Sequence, residues 1–336
     1  MFDFVTIGTG TRDIFFRVAE GKVLSGPPSE SASPLYLGFE YGSKIVTDDA
    51  VFSFGGGALN TALALAKMDL NVAAAFRIGS EGTGDVLLGE MTSRHVDHRY
   101  VERDRDRHTG LSFVITVPGA DHVLFHYPGA GAGLALEGLA EIDTRWLYLT
   151  SLIGASAELL PRIEAKVRAD SIQLIFNPGQ TQIAAGYPAL RGLIALAHVL
   201  IVNRREAAEL VRSADPGAAT RTIPDLMLSM QGWGARHTVI TDGAAGAYAA
   251  DGDGIYFMPA YPARVVDTTG AGDAFGAAYA AGLVHTDGDV AASLRMAAAN
   301  AASVVASDGA HAGTLTVPAA EDLVARYKDI TVRKQT

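Results

Sequence analysis

A chain of 336 residues with 49% hydrophobic residues and a mean hydropathy of +0.18 can bury a large core, which excludes a disordered protein. Its 27 Lys and Arg are scattered and outnumbered by 37 Asp and Glu, giving a net charge of −10, so we expect no nucleic-acid partner. It has no cysteine, no basic N-terminal region and no apolar run near the roughly 20 residues that span a bilayer, so we expect a cytoplasmic protein without a membrane partner.

From its first residues onward the chain alternates short apolar runs with helical stretches. Predicted strands cover residues 4–8, 72–78, 146–150, 173–177, 198–203, 238–241 and 264–266. Predicted helices cover residues 58–68, 85–94, 157–169, 204–212, 224–231 and 274–283. This alternation predicts an α/β fold with a mostly parallel sheet that is covered on both faces.

Two segments depart from this alternation. Residues 12–52 are rich in Gly, Pro and Ser, and residues 98–127 alternate as strands do, with LSFVITV and HVLFHY flanking a predicted turn at PGAD, residues 118–121. Both segments fit one small β-rich subdomain that the chain enters twice.

Polar residues follow the ends of several predicted strands. They are Asn177, Asn203, Glu206, Thr241, Asp242 and the segment 267–273. In an open α/β sheet, ligands bind outside the carboxyl ends of the strands. We therefore expect these residues to surround one binding site.

The segment DTTGAGD, residues 267–273, joins a predicted strand to a small-residue helix. Gly270, Ala271 and Gly272 lead into the helix, where free N–H groups and the helix dipole favour an anion such as phosphate. Asp273 at this position is either a simple helix cap or a functional carboxylate. A second glycine-rich junction at residues 54–60 suggests a pocket with glycines on two sides, where backbone can approach a ligand closely.

These two junctions carry a resemblance to a known family. DTTGAGDAF resembles the C-terminal signature of the ribokinase-like, or PfkB-type, carbohydrate kinases, and GGGALNTALALAKMDLNVAAAFRIGSEGTGD resembles their N-terminal signature. The resemblance covers nearly the whole chain. It implies a single three-layer α/β/α ribokinase-like kinase domain with a small β-sheet lid, formed by insertions at about residues 12–52 and 96–127. It also implies transfer of the γ-phosphoryl group of ATP to a hydroxyl of a sugar or nucleoside, with Mg²⁺ as cofactor.

The resemblance assigns roles to the residues around the second junction. Asp273 would be the general base, and the N–H groups of Gly270, Ala271 and Gly272 would stabilise charge on the transferred phosphoryl group. A monovalent cation, potassium in the first instance, would bind beside them. The residues implied for that cation are Asp267, Thr269, Ser307 and Gly309.

On the nucleotide side, Asn203 and Glu206 resemble the N-x-x-E element of the family, in which Glu206 would orient Mg²⁺ through water. The alternative is a plain helix cap with a capping-box acid. Further residues with an implied nucleotide role are Thr241, Gly243 and Gly246, in a T-x-G-x-x-G turn, and Asn300. Asn300 lies two positions after the place of a family Asn on the adenine side, which Ala298 occupies here.

On the substrate side, the resemblance implies that Asp13 binds sugar hydroxyls, with Gly56, Gly57 and Asn60 as the opposite wall. Ribose kinases of this family carry a lysine where Gly57 stands. Other departures are Ser80 and Glu81 in place of two aspartates, and Gly131 in place of an Asn. His126 in the lid is either a substrate contact or an ordinary histidine on a β-sheet face. The substrate therefore cannot be taken over from the family.

The leading hypothesis is an ATP-dependent carbohydrate kinase with Asp273 as base and a small-molecule sugar as substrate. A nucleoside kinase of the same fold and a catalytically silent sugar- or nucleotide-binding sensor are the alternatives. A dinucleotide oxidoreductase fits less well, because GTGTRD after the first strand lacks a third glycine at the required spacing. The resemblance also implies that two copies of the chain could form a homodimer through the lid.

Overall fold

The computed structural model of the protein describes residues 1–26, 35–47, 49–117, 123–217 and 222–335. The strands within these ranges are β1 (Phe2–Ile7), β2 (Thr11–Arg17), β3 (Lys22–Ser25), β4 (Leu35–Gly38), β5 (Ala50–Gly55), β6 (Val72–Ala75), β7 (Arg77–Gly79), β8 (Glu102–Asp104), β9 (Gly110–Thr116), β10 (Val123–Tyr127), β11 (Thr144–Leu149), β12 (Gln173–Phe176), β13 (Ala197–Asn203), β14 (His237–Thr241), β15 (Ala247–Asp251), β16 (Gly254–Met258) and β17 (Arg333–Gln335). The helices are α1 (Gly57–Lys67), α2 (Gly82–Ser93), α3 (Leu160–Asp170), α4 (Gln180–Ala185), α5 (Tyr187–Leu196), α6 (Arg204–Ala214), α7 (Ile223–Gln231), α8 (Ala271–His285), α9 (Val290–Val305) and α10 (Val317–Arg326).

The largest sheet within the described ranges has nine strands in the order β17-β16-β15-β14-β13-β12-β11-β1-β6. Neighbours from β6 to β14 are parallel, whereas β15, β16 and β17 are added antiparallel. The parallel strands are nearly continuous apolar runs because both of their faces are buried. Their carboxyl ends lie at one edge of the sheet, so that Asn203 at the end of β13 pairs with Thr241 at the end of β14.

Alternate side chains of the central strands enter two cores, one on each face of the sheet. On β1, Phe4 enters the first core, whereas Val5 and Ile7 enter the second. Residues of α1, α2, α8, α9 and α10 complete the first core, and residues of α3 to α7 complete the second. The predicted three-layer α/β/α fold with a mostly parallel sheet is confirmed.

A second sheet has the strand order β10-β9-β2-β5 and combines two segments that are distant in sequence. β2 and β9 pair in parallel at the centre. At the two edges, β5 pairs antiparallel with β2, and β10 pairs antiparallel with β9. Two-stranded ribbons pair β3 with β4 and β7 with β8. The turn predicted at residues 118–121 lies outside the described residues.

Three sequence predictions of elements need correction. The strand predicted at residues 264–266 is wrong: this segment is irregular, and Val265 is 63% exposed, because no neighbouring strand covers it. The strand predicted at residues 72–78 is divided into β6 and β7, which pair with different partners. The helix predicted from residue 157 begins at Leu160, after a 3₁₀ turn over Gly154–Leu159.

No helix in the described part of the chain is both long enough and apolar enough to cross a membrane.

Candidate active site

The glycine-rich segment before and within the first turn of α8 leaves backbone donors free. Gly270, the residue before the helix, has φ +73°, a left-handed conformation that favours glycine. A Cβ at Gly270 would lie 2.4 Å from the Cβ of Ala310, so packing also requires glycine there. The N–H of Ala271 donates to the carbonyl of Thr268 at 3.3 Å, whereas within the described residues no group accepts a hydrogen bond from the N–H of Gly272 or Asp273. The start of α8 therefore offers donors and the positive end of the helix dipole to an anion.

The carboxylate of Asp273 lies at this helix start and is held by Asn60. The Nδ2 of Asn60 donates to Oδ2 of Asp273 at 2.9 Å, while the Oδ1 of Asn60, a residue only 5% exposed, has no protein partner. Burial raises the pKa of Asp273, the hydrogen bond from Asn60 opposes this shift, and the nearby charge of Asp13 adds to it. The carboxylate is therefore a stronger base than an exposed aspartate.

The second glycine-rich junction precedes α1. Gly56 has φ +91°, and a Cβ on it would lie 2.5 Å from the carbonyl oxygen of Thr9. That carbonyl accepts hydrogen bonds from the N–H groups of Ala58 and Leu59 at 3.1 and 3.3 Å. The Thr9 carbonyl therefore already accepts hydrogen bonds from two of the N–H groups at the start of α1. A Cβ on Gly57 would lie 2.8 Å from Oγ1 of Thr150, and Gly57 lines the cavity described below.

Asp13 lies on β2 and its side chain is directed toward the same region. It is 4% exposed, and its Oδ1 accepts a hydrogen bond from Oγ1 of Thr11 at 2.9 Å. Burial raises the pKa of Asp13, whereas the Ser112 hydroxyl and the His126 ring lower it. The charge of Asp13 raises the pKa of Asp273, so the two carboxylates lie near each other.

A cavity of about 890 Å³ opens from Asp273 along the carboxyl edge of the sheet. Most of the residues predicted to bind nucleotide line it, together with Asn177, which also follows a strand. These lining residues are Asn203, Glu206, Thr241, Gly243 and Gly246, and residues 271–273 form its other end. Gly243 and Gly246 have φ of +54° and +123°, so the turn between β14 and β15 depends on glycine at both positions.

Asn203 and Glu206 form the capping box at the start of α6. The N–H of Glu206 donates to Oδ1 of Asn203 at 3.0 Å, and the N–H of Asn203 donates to Oε2 of Glu206 at 2.9 Å. Burial raises the pKa of Glu206. The pair is thus the helix cap with a capping-box acid that the sequence offered as one alternative. Both residues also line the cavity.

Asn300 is the predicted nucleotide residue that the structure does not bring to the cavity. It is fully buried; its Nδ2 donates to the carbonyl of Ala274 at 2.8 Å, and its Oδ1 accepts from the N–H of Leu315 at 2.8 Å. Two positions along a helix correspond to a rotation of about 200°, so Asn300 faces away from the side on which Ala298 lines the cavity. Its amide joins α8, α9 and the chain before α10, and we assign it no nucleotide contact.

Other lining residues escaped the sequence reasoning. Ala298, Ala301, Ala302 and Val305 present small side chains from α9, and residues 260–263 also line the cavity. The sequence feature that could have indicated them is the alanine-rich run of α9, in which small residues on one helix face leave room for a flat ligand.

The segment around Asp267 is tied to the loop that follows α9. Oδ1 of Asp267 accepts from the N–H of Thr269 at 2.9 Å, and Oδ2 accepts from the N–H of Gly309 at 3.2 Å. The hydroxyl of Thr269 is buried without a protein partner. Ser307 lies just after α9, and its N–H donates to the carbonyl of Val304 at 3.0 Å. The four residues predicted for a monovalent cation therefore belong to two adjacent segments.

The departures from the family pattern have structural roles in this chain. Oε1 of Glu81 accepts from the N–H of Thr109 at 2.8 Å, and Oγ of Ser80 donates to the carbonyl of Asp104 at 2.8 Å. The carbonyl of Gly131 accepts from Oγ of Ser156 at 2.9 Å. These residues hold the connections between the two larger sheets.

Comparison with known proteins matches this arrangement to one family. The model of the pfkB family of carbohydrate kinases matches residues 33–317. Among curated proteins, the ribokinase of Staphylococcus aureus is 24% identical over 238 residues, which cover 70% of this chain and 76% of that protein.

Solved structures resemble the fold over nearly its full length. The nucleoside kinase of Burkholderia thailandensis in complex with inosine has a TM-score of 0.77 and 21% identity, and covers 97% of this chain and 98% of its own. The ribokinase of Arabidopsis thaliana complexed with ribose and ATP has a TM-score of 0.75 and 20% identity, and covers 96% of this chain and 98% of its own. Because these structures are only 20–21% identical to this chain, their similarity establishes its fold and not its substrate.

Proposed function

This chain belongs to the pfkB family of carbohydrate kinases, and we propose that it transfers the γ-phosphoryl group of ATP to a hydroxyl of a sugar or sugar derivative. The observation that carries the proposal is the position of the Asp273 carboxylate beside the free N–H groups that start α8, at the end of the cavity of about 890 Å³. A base and an anion site lie next to each other there, as phosphoryl transfer requires.

Asp273 is the general base in this proposal. The acceptor hydroxyl gives its proton to the carboxylate while its oxygen attacks the γ-phosphorus, and the bond to the bridging oxygen of ADP breaks. The raised pKa of Asp273 supports the role, because a more basic carboxylate takes the proton more readily. The hydrogen bond from Asn60 orients Asp273 and keeps it from being protonated too early.

The N–H groups of Gly270, Ala271 and Gly272 stabilise the charge on the transferred phosphoryl group, aided by the dipole of α8, and the N–H of Ala271 gives up its 3.3 Å bond to the carbonyl of Thr268 to do so. Glycine at positions 270 and 272 supports this role, because the phosphoryl group can approach the backbone without meeting a side chain. The left-handed conformation of Gly270 sets the direction in which the helix begins.

The nucleotide occupies the cavity, with Asn203, Glu206 and the glycine turn at Thr241, Gly243 and Gly246 near its phosphates. Mg²⁺, when bound, neutralises negative charge on the phosphate oxygens. Within the described residues, no three His, Cys, Asp or Glu side chains cluster to hold a metal. The Glu206 carboxylate therefore fits a role through water, with the nucleotide supplying the other oxygens.

Asp267, Thr269, Ser307 and Gly309 fit a monovalent cation, because this part of the chain offers carbonyl, hydroxyl and carboxylate oxygens next to the start of α8. The hydrogen bonds that the Asp267 carboxylate accepts from the N–H groups of Thr269 and Gly309 support the pairing of these residues. A cation bound there would add positive charge beside the anion site. Stimulation of turnover by potassium over sodium tests this assignment.

The four-stranded sheet serves as a lid over the acceptor in this proposal, since Asp13 on β2 is close enough to the catalytic carboxylate that its charge raises the pKa of Asp273. Its other face is mostly apolar, with Phe52 60% and Phe125 59% exposed and the Arg12 guanidinium lying over the Phe52 ring. We propose that two copies associate through these outer faces. A molar mass measured by light scattering that falls from dimer to monomer in a Phe52→Ser, Phe125→Ser variant would support the association.

The experiment that tests the function is a coupled ADP-release screen with Mg·ATP over sugars, sugar acids and nucleosides. The likeness to a nucleoside kinase makes nucleosides the second candidate acceptors. Turnover with inosine or adenosine alone would select that alternative. Tight binding of an acceptor without any turnover would support a silent sensor instead and would contradict the proposal.

A further inference from the structure

Four polar side chains form a row across the face of the four-stranded sheet that carries Asp13. The strand register places Ser53 and Ser112 on either side of Asp13, and His126 beside Ser112. Because neighbours in register project to the same face of a sheet, all four side chains lie on the inner face of the lid. A Cβ on Gly309 would lie 2.8 Å from Oγ of Ser53, so this row borders the loop that follows α9.

Within this row, Ser112 lies between Asp13 and His126. Oγ of Ser112 lies 3.3 Å from Nδ1 of His126, and the Ser112 hydroxyl lowers the pKa of the Asp13 carboxylate, as a hydrogen-bond donor does. Ser112 has one proton, and we assign it to the bond with Asp13, since an ionised carboxylate only accepts. Ser112 then accepts from the Nδ1–H of His126, which leaves Nε2 as an acceptor. Partial burial lowers the pKa of His126, which keeps the ring neutral near pH 7.

The groups left for a ligand are mostly acceptors and carry negative charge. Oδ1 of Asn60 is buried without a partner within the described residues, and the carboxylates of Asp13 and Asp273 are close enough that the charge of Asp13 raises the pKa of Asp273. The row itself contains neither Lys nor Arg. A ligand rich in hydroxyl donors fits this set, whereas an anionic ligand would be repelled.

We propose that Ser112 and His126 determine the specificity of the acceptor site and select a neutral polyhydroxylated acceptor over an anionic one. This inference rests on the proposed function and deepens it. Ser112 holds Asp13 and His126 in register, and Nε2 of His126 accepts a hydrogen bond from a hydroxyl of the acceptor. The phosphoryl group still transfers at Asp273, and neither lid residue takes part in that step.

The test compares an aldose with its aldonate, which differ by a carboxylate, in the full-length protein. For each acceptor, kcat and KM are measured with Mg·ATP, and binding is measured by calorimetry in a nonhydrolysable ATP analogue. We expect kcat/KM for the aldose to exceed that for the aldonate at least tenfold. Ser112→Ala and His126→Leu should raise KM for the aldose about five- to tenfold with little change in kcat, as expected for loss of one hydrogen bond. His126→Lys should shift the ratio toward the aldonate at least tenfold.

His98→Gln is the matched control, because His98 is exposed and lies outside both larger sheets. It should leave the ratio unchanged. Aldose binding that weakens in Ser112→Ala in the absence of any turnover would contradict the proposed function but support this inference. Turnover with a ratio that none of the lid variants changes would overturn this inference and leave the kinase assignment standing. A preference of the unmodified chain for the aldonate, or binding of neither compound class across the screen, would also overturn it.

Discussion

Replacement of Gly272 by alanine separates the stability of α8 from its chemistry. An ideal Cβ on Gly272 meets no atom within 4 Å, and the residue has ordinary helical backbone in the first turn of α8. Alanine is favoured over glycine in a helix by up to about 1 kcal/mol, so the variant should be as stable as the unmodified chain or slightly more so. The same methyl group would stand in the open space before the free N–H groups.

The expected loss of activity follows from what one donor of an anion site contributes. Removal of such a donor lowers kcat by about 10²–10³-fold, and a methyl group in front of it should have an effect of about 10²-fold, or roughly 2.7 kcal/mol. The assay pairs urea denaturation with coupled ADP release. A variant with normal kcat would refute the assignment of this turn as the anion site, and a variant that unfolds would refute the packing argument.

Two other glycines serve as controls. Gly288 has φ +90° and open space around it, so Gly288→Ala should lose about 1–2 kcal/mol of stability from backbone strain alone and keep its activity. Gly270→Ala combines the same strain with a contact of 2.4 Å to the Cβ of Ala310 and should be destabilised further. Only Gly272→Ala should lose activity without losing stability.

Three further predictions address other groups. Asn60→Leu removes the hydrogen bond that lowers the pKa of Asp273, so the acidic limb of the pH–kcat profile should move to higher pH. Burial lowers the pKa of His198 to about 4 from an ordinary value of 6.5, so the unfolded chain binds a proton that the folded chain does not. The free energy of unfolding should therefore fall by about 2–3 kcal/mol as the pH drops from 6.5 to 4, and His198→Gln should flatten this dependence in urea titrations. Asp267→Ala leaves two backbone N–H groups without their acceptor; it should cost about 1–2 kcal/mol in the same titrations and abolish any stimulation of turnover by potassium.

Each of these predictions has an outcome that contradicts it. An unchanged acidic limb in Asn60→Leu would mean that another group sets that limb. His237 is also buried with a lowered pKa, so His198→Gln should retain part of the pH dependence; the full dependence would exclude His198 as its source. Potassium stimulation that survives in Asp267→Ala would place the cation elsewhere.

The main sheet could be predicted from sequence because its parallel strands are buried on both faces. Short apolar runs bounded by polar residues are typical of that environment, and β1, β11, β12, β13 and β14 were all found within two residues of their observed ends. Residues 264–266 have the same local composition but no partner strand. Strand formation depends on that partner, which local sequence does not reveal.

The candidate site was predictable where backbone conformation required particular residues. Gly56, Gly243, Gly246 and Gly270 all have positive φ, and their spacing marked the turns that line the cavity. Asn300 shows the limit of this reasoning, because a displacement of two residues on a helix turns a side chain from the cavity into the core. The polar row on the lid likewise depends on the register between strands that are far apart in the chain.

Replacement of Asp273 by Asn tests the central claim most directly. The change keeps the size of the side chain and its hydrogen bond with Asn60 while removing the base, and the measurement is ADP release with the best acceptor from the screen. We predict that kcat falls by about 10²–10⁴-fold while the urea midpoint and acceptor binding stay near those of the unmodified chain. A folded variant with near-normal kcat would contradict the account.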